Sequence, residues 1–152
     1  MRAVLKASVA ALLGAALLAA PAVAQDAAKA IGYRQGIMKA LSWHIGPIAG
    51  MAKGEVPFDQ AQLQHHADAL AALAAMSLEA FVPGSTGMDG TKATADAVHT
   101  NADLQAKDKA LVDATAALAA GAGGVTDAAG IGALLGPVGG ACKGCHDSFR
   151  AK

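Results

Sequence analysis

The chain has 152 residues with twelve basic and twelve acidic side chains; 54% of its residues are hydrophobic but only 3% are aromatic. A length in this range makes one domain, and a balanced charge excludes the strongly basic surface that nucleic-acid binding requires. Two cysteines three residues apart could pair in an oxidising compartment, but they close too short a loop to gain much from chain entropy, so stapling is not their best explanation.

The N-terminus carries Arg2 and Lys6, an apolar run from Ala7 to Ala20, and then Pro21-Ala22-Val23-Ala24, whose small residues suit a signal peptidase. Residues 1–24 therefore read as a secretory signal peptide, residues 25–152 as the mature domain, and Gln25 as its first residue. The run is too short to anchor in a bilayer, and no later stretch approaches the roughly 20 unbroken apolar residues of a membrane span. The mature protein is expected to be soluble and exported. Losing Arg2 and Lys6 leaves ten basic against twelve acidic residues, a balance of −2. That sign argues against nucleic acid and suits a small basic partner.

Four mature segments carry helical periodicity and none alternates like a strand. In the first, Ile31, Met38 and Ile45 recur every seven residues with Leu41 and Ile48 between them, the narrow seam of a bundle helix. Gly46-Pro47 is expected to kink this helix or end its regular part. The second opens at Phe58-Asp59, with Asp59 as cap, Gln62 as its capping-box partner and Phe58 stapled onto Leu63; Leu63, Ala67, Leu70 and Ala74 line one face. A loop follows from Val82 to Gly90. The third helix is expected from Ala93 to Ala120, with Leu104, Leu111 and Leu118 at heptad spacing and Gly121 to Gly124 ending it. The fourth begins after Thr126 and runs to the C-terminus, and must be bent by Pro137 or effectively start near it. On it Ile131, Leu134, Val138, Cys142, Cys145 and Phe149 share one face. The fold class is all-α, an antiparallel up-down four-helix bundle.

Cys142-Lys143-Gly144-Cys145-His146 is the attachment pattern of a c-type haem. Two sulfurs on one helix face can bond the porphyrin's two vinyl groups, and the next residue's imidazole reaches the iron. A core this poor in rings, which holds only Tyr33, Trp43, Phe58, Phe81 and Phe149, also lacks the bulk that a large flat cofactor supplies. The competing readings each lack a part. A zinc site needs four ligands, and His65-His66 are adjacent and point to different helix faces. A thioredoxin-like dithiol opens a helix in a βαβ unit, whereas this pair lies near the end of an all-helical chain. Arg150, one turn beyond His146, meets a haem propionate or offsets the helix dipole. Gly139-Gly140 permits close approach of a porphyrin or of another helix. His44, His65 and His66 read as surface groups.

The segment Cys142 to Arg150 resembles the C-terminal end of the cytochrome c′ family, the class II c-type cytochromes. Tyr33-Arg34-Gln35-Gly36-Ile37-Met38-Lys39 resembles that family's distal-side segment, and Lys53-Gly54-Glu55-Val56-Pro57-Phe58-Asp59 resembles its link into the second helix. The resemblance spans the mature chain and implies the bundle already read from periodicity, with one covalent haem c near the last helix, ligated by His146. It implies a periplasmic location and commonly a homodimer, for which Ile37 and other apolar residues off the haem-facing seam offer a surface. By the same resemblance Arg34 and Gln35 touch the haem periphery, Met38 faces the distal side of the iron, and Asp89 lies in a loop near the haem. Where many relatives carry Trp early in the third helix, this chain has His99, read as a surface group.

Members of the family transfer electrons or bind small gases such as nitric oxide and carbon monoxide, and Met38 decides between the two. Coordination by its thioether gives a closed low-spin His/Met iron suited to electron transfer; packing beside the iron leaves an open site for a gas. The leading expectation is a periplasmic electron carrier serving redox partner proteins, with gas binding or buffering as the alternative. No base and nucleophile stand together over a substrate pocket, so no enzyme is expected.

Overall fold

Ile48 and Met51, both buried, fasten the end of the first helix to the bundle core, and this attachment carries the helix through a sequence expected to break it. The computed structural model describes the backbone of residues 2–152 and the side chains of residues 26–152; the leader expected over residues 1–24 lies outside the described side chains. Helix α1 (Arg2–Lys53) runs through Gly46-Pro47 without interruption. Pro47 is exposed, so the Trp43 carbonyl that it leaves without a helical partner lies on the wet face. The helix ends instead at Gly54, which takes a left-handed φ of 73°. There Glu55 N–H donates to the Gly50 carbonyl at 2.9 Å and Gly54 N–H to that of Met51 at 3.1 Å, the paired bonds of a Schellman stop.

Helix α2 (Gln60–Ala74) is capped by Asp59, whose carboxylate accepts the Gln62 N–H. The reciprocal half of the expected capping box does not form, because Asp59 N–H turns to the Met51 sulfur at 3.4 Å. Phe58 stays exposed and lies outside the buried core. The buried face is Leu63, His66, Ala67, Leu70 and Ala74.

Helix α3 (Ala102–Ala122) starts nine residues later than its apolar periodicity suggests. Asn101 supplies the cap, accepting from the N–H groups of Asp103 and Leu104. Residues 91–100 are drawn into long-range pairing instead: Ala93 bridges Arg150, Thr94 N–H donates to the Phe149 carbonyl at 3.0 Å, and Ala151 N–H to that of Lys92 at 2.7 Å. Helix α4 (Ala128–Phe149) starts at the Asp127 cap, well before Pro137, and stops short of the chain end because Arg150 leaves for that pairing. Pro137 is exposed, like Pro47, and interrupts neither the helix nor its buried stripe.

Helices adjacent in the chain pack on one another and α1 closes the ring against α4, with no diagonal contact among the described residues. Neighbouring helices run antiparallel: Gln60 and Gln64, at the start of α2, donate to the carbonyls of Ala122 and Ala119 at the end of α3. The result is the expected all-α up-down four-helix bundle.

Its core is split. One cluster gathers Ile48, Met51, Leu63, Leu70, Leu118, Ile131 and Val138; the other gathers Phe81, Ala97, Leu104 and Phe149 under the long α2–α3 connection. That connection turns on Gly84, Gly87 and Gly90, all at positive φ. Gly87 is the most constrained, since a Cβ there would sit 2.7 Å from the Ala95 backbone. Gly87→Ala should therefore destabilise the protein by about 1–3 kcal/mol. A denaturant midpoint equal to that of the parent would contradict this.

Candidate haem site

The apolar stripe of α4 continues past Val138 directly into the attachment motif. Cys142 packs at the edge of the larger core cluster and Cys145 at the edge of the smaller one, so the two thiols straddle the gap between the cores. That gap is a cavity of about 260 Å³ walled by Met38, Leu41, Ile45, Leu78, Phe81, Leu104, Leu111, Cys142, Cys145 and His146. A more open cavity of about 540 Å³ shares Met38, Ser42, Phe81, Cys145 and His146 with it, and its rim is polar and cationic, with Arg34, Gln35, Lys39, Thr91, Lys92 and Arg150. A greasy slot with a basic mouth fits a flat apolar macrocycle that carries two carboxylates on one edge.

The donor chemistry agrees with that shape. Cys142 and Cys145 are unpaired and half buried. Burial pushes both thiols above the usual cysteine range, and Asp108 pushes Cys145 further. Neither is thus a reactive thiolate of the catalytic-dithiol kind, in which the thiol pKa is lowered. Burial, and then the Arg150 charge, hold His146 below the usual histidine range against an opposing pull from Asp147. Its imidazole is neutral at pH 7, the form that ligates a metal.

The six residues singled out from the sequence converge on these two connected cavities. Met38, Cys145 and His146 line both, Cys142 lines the inner one, and Arg34 and Gln35 line the outer one. Gln35 is also tied to the loop, its amide donating to the Gly90 carbonyl at 2.9 Å. Arg34 has a second occupation that its sequence position does not reveal. Its guanidinium is 4% exposed and holds the α2–α3 connection onto α1. Nη1 donates to the Ala80 carbonyl at 2.7 Å and to Ser85 Oγ at 3.2 Å, while Nη2 donates to the Ser85 carbonyl at 2.6 Å and to Thr91 Oγ1 at 2.9 Å. The same group lies 4.8 Å from the centre of the Phe81 ring, a cation–π contact.

Asp89 lines neither cavity; the loop residues that do are Thr91, Lys92 and Ala93. His99 is likewise off both linings and is spent on the loop: its N–H donates to the Phe81 carbonyl at 2.8 Å, and its Nδ1 lies 3.2 Å from that same oxygen. Ser77 and Asp108, which the sequence reading did not single out, form a hydrogen-bonded pair on the wall of the inner cavity. Only the fold brings them together, since they sit 31 residues apart.

The sequence matches the family described as Cytochrome C' over residues 29–150. The chain belongs to the cytochrome c′ family. It is 42% identical over 143 residues to a cytochrome c′ of Cereibacter sphaeroides, a match covering 90% of this chain and 93% of that protein. Among solved structures it is similar to cytochrome c prime from Shewanella frigidimarina, with a TM-score of 0.76, 36% identity, and coverage of 83% of this chain and 97% of that one. It is also similar to the nitric oxide complex of a mutant cytochrome c prime from Alcaligenes xylosoxidans, with a TM-score of 0.74, 32% identity, and coverage of 83% and 96% respectively. Family membership brings a c-type haem, and the paired cysteines on the cavity wall are consistent with its covalent attachment.

One expectation about the histidines is overturned. His66 is not a surface group but 8% exposed on the buried face of α2, because it falls three residues after Leu63 and four before Leu70. His44 is half buried opposite it and only His65 is exposed.

Arg34 generates the prediction of this section. Arg34→Met keeps much of the side-chain length but removes four hydrogen bonds and strands the Ser85 carbonyl, and should cost about 3 kcal/mol of stability. Arg34→Lys should recover only part of this, because a single ammonium cannot serve acceptors on both sides of a planar fork. Denaturant midpoints of the three proteins check both statements.

Proposed function

We propose that this chain is an exported electron carrier with one haem c, which Cys142 and Cys145 would hold through thioether bonds and which His146 and Met38 would ligate. The observation that carries this reading is that Met38 on α1 and His146 on α4 line the same largely apolar cavities. Each thiol would add across one vinyl group of the porphyrin, its sulfur bonding one carbon and its proton passing to the other. Haem c, when bound, supplies the iron that takes up and releases one electron. Around it Leu41, Ile45, Phe81, Leu104 and Leu111 keep water from the metal, while Arg34, Gln35 and Arg150 line the cavity mouth, where the propionates would lie. A thioether opposite an imidazole raises the reduction potential, the condition for passing electrons between redox partner proteins.

The mature domain is residues 25–152, released in the periplasm after removal of residues 1–24. Its balance of −2, made more negative by two propionates, suits a small basic partner. Among the described residues no helix is long and apolar enough to cross a membrane. The reading is of a carrier and not of an enzyme.

A second reading has an observation of its own. The Alcaligenes xylosoxidans relative binds nitric oxide. If Met38 only packs against the cavity wall, this chain would bind or buffer nitric oxide or carbon monoxide through the same haem.

Carbon monoxide separates the two readings. Added to the reduced holoprotein, it should leave the low-spin spectrum of the parent unchanged and should bind Met38→Ala rapidly and completely. Rapid binding by the parent would overturn Met38 ligation and favour the gas-binding reading. Attachment is checked by mass: the purified periplasmic protein should weigh the polypeptide from Gln25 plus one haem. Cys142→Ser should retain a single thioether link, and Cys142→Ser with Cys145→Ser should carry no covalent haem. A colourless parent of bare polypeptide mass would overturn the whole reading.

A further inference from the structure

Outside the haem cavity one cluster of ligand-bearing side chains has no role in anything described so far. His44 on α1 meets His65 and His66 on α2, with ring centroids 5.9 Å apart for His44 and His65, 5.2 Å for His44 and His66, and 5.1 Å for His65 and His66. One ring nitrogen from each lies within 4.8 Å of the others. None of the three lines either haem cavity.

We propose that His44, His65 and His66 form a second metal site, which takes one divalent late transition-metal ion of the zinc class between α1 and α2. The distances suit it. A tetrahedral zinc with bonds of about 2.1 Å holds its nitrogens about 3.4 Å apart, and His44 Nδ1 already lies 3.0 Å from His66 Nδ1. The widest separation closes by rotation of His65, which is exposed and free to turn. Adjacency of His65 and His66 does not forbid the site, because the gap between their directions on α2 is bridged by a ligand from a different helix.

The chemistry suits it too. Three imidazoles with no carboxylate in the set favour zinc, copper or nickel over magnesium or calcium. His66 is buried on the core-facing side of α2, so its ring is held in place for a ligand. A gradient of exposure from His66 through His44 to His65 gives an ion a route in from solvent, and leaves the fourth position on the wet side. Without an ion, the His44–His66 contact is a hydrogen bond with one nitrogen protonated and the other accepting, which uses two of the three rings and gives His65 nothing to do.

The test is a calorimetric titration of zinc ions into the purified periplasmic holoprotein after treatment with a chelator. In that protein Cys142, Cys145 and His146 are engaged by the haem. One zinc per chain should bind with micromolar or tighter affinity and leave the haem absorption bands unchanged. His65→Gln alters an exposed residue and should fold normally; it and His44→Gln should each weaken binding by more than about tenfold, no less than the loss of a supporting shell partner costs. Zinc should also raise the unfolding midpoint of the parent and not that of His65→Gln. Absence of binding at several hundred micromolar zinc, or equal affinity in parent and both variants, would overturn the site. Neither outcome bears on the haem, which is read independently from colour and mass.

Discussion

The rotational register of α4 is the constraint on which the site depends. Ile131 and Val138 are almost completely buried in the larger core, and because a helix repeats every 3.6 residues, burying them commits the same face further along to the interior. Cys142 and Cys145 fall on that face and His146 follows at its edge. A shift of one residue would swing the face by about 100° and carry both sulfurs toward solvent. No loop has to be ordered to aim the thiols, because the packing that stabilises the bundle aims them already.

The second requirement is that the bundle must not close where the thiols point. Its interior is divided into two apolar clusters, with Cys142 packed against one and Cys145 against the other. The smaller cluster is not made by helix pairing alone. It is roofed by the α2–α3 connection, and that roof is held by one buried guanidinium spread over two carbonyls, two hydroxyls and a phenyl ring. Arg34 thereby links the cavity's outer wall to the seam of α1 that carries Met38, one turn further along. A polar group is used as mortar here because the roof is a loop, and its carbonyls need donors that an apolar core cannot provide.

Much of this was legible in local pattern. The four helices, the cap Asp59, the seam of α1, the stripe of α4 and the attachment motif all depend on residues within a turn or two of one another. What the pattern misread depends on partners far away in the chain. Residues 93–100 carry no feature that denies them to α3; Ala93 and Thr94 are taken by pairing with Phe149 and Arg150, far along the chain, and His99 by the Phe81 carbonyl. Pro47 and Pro137 break helices by propensity, yet both fall on wet faces of segments anchored by buried residues on either side, and tertiary packing outweighs the one hydrogen bond each removes. His66 shows the same limit. It sits within the apolar stripe of α2, where spacing alone would have placed it indoors, but its neighbour His44 belongs to another helix and no periodicity joins them.

The residues that close the cavity, Cys142 to Ala151, come after every other residue that lines it, and the wall at Lys92 and Ala93 is tied to that late segment by backbone pairing. A polypeptide emerging amino end first therefore presents greasy half-walls long before it can offer a binding slot. The slot is complete only once the last residues of the chain are in place, so whatever fills it can be fitted only to a nearly complete domain.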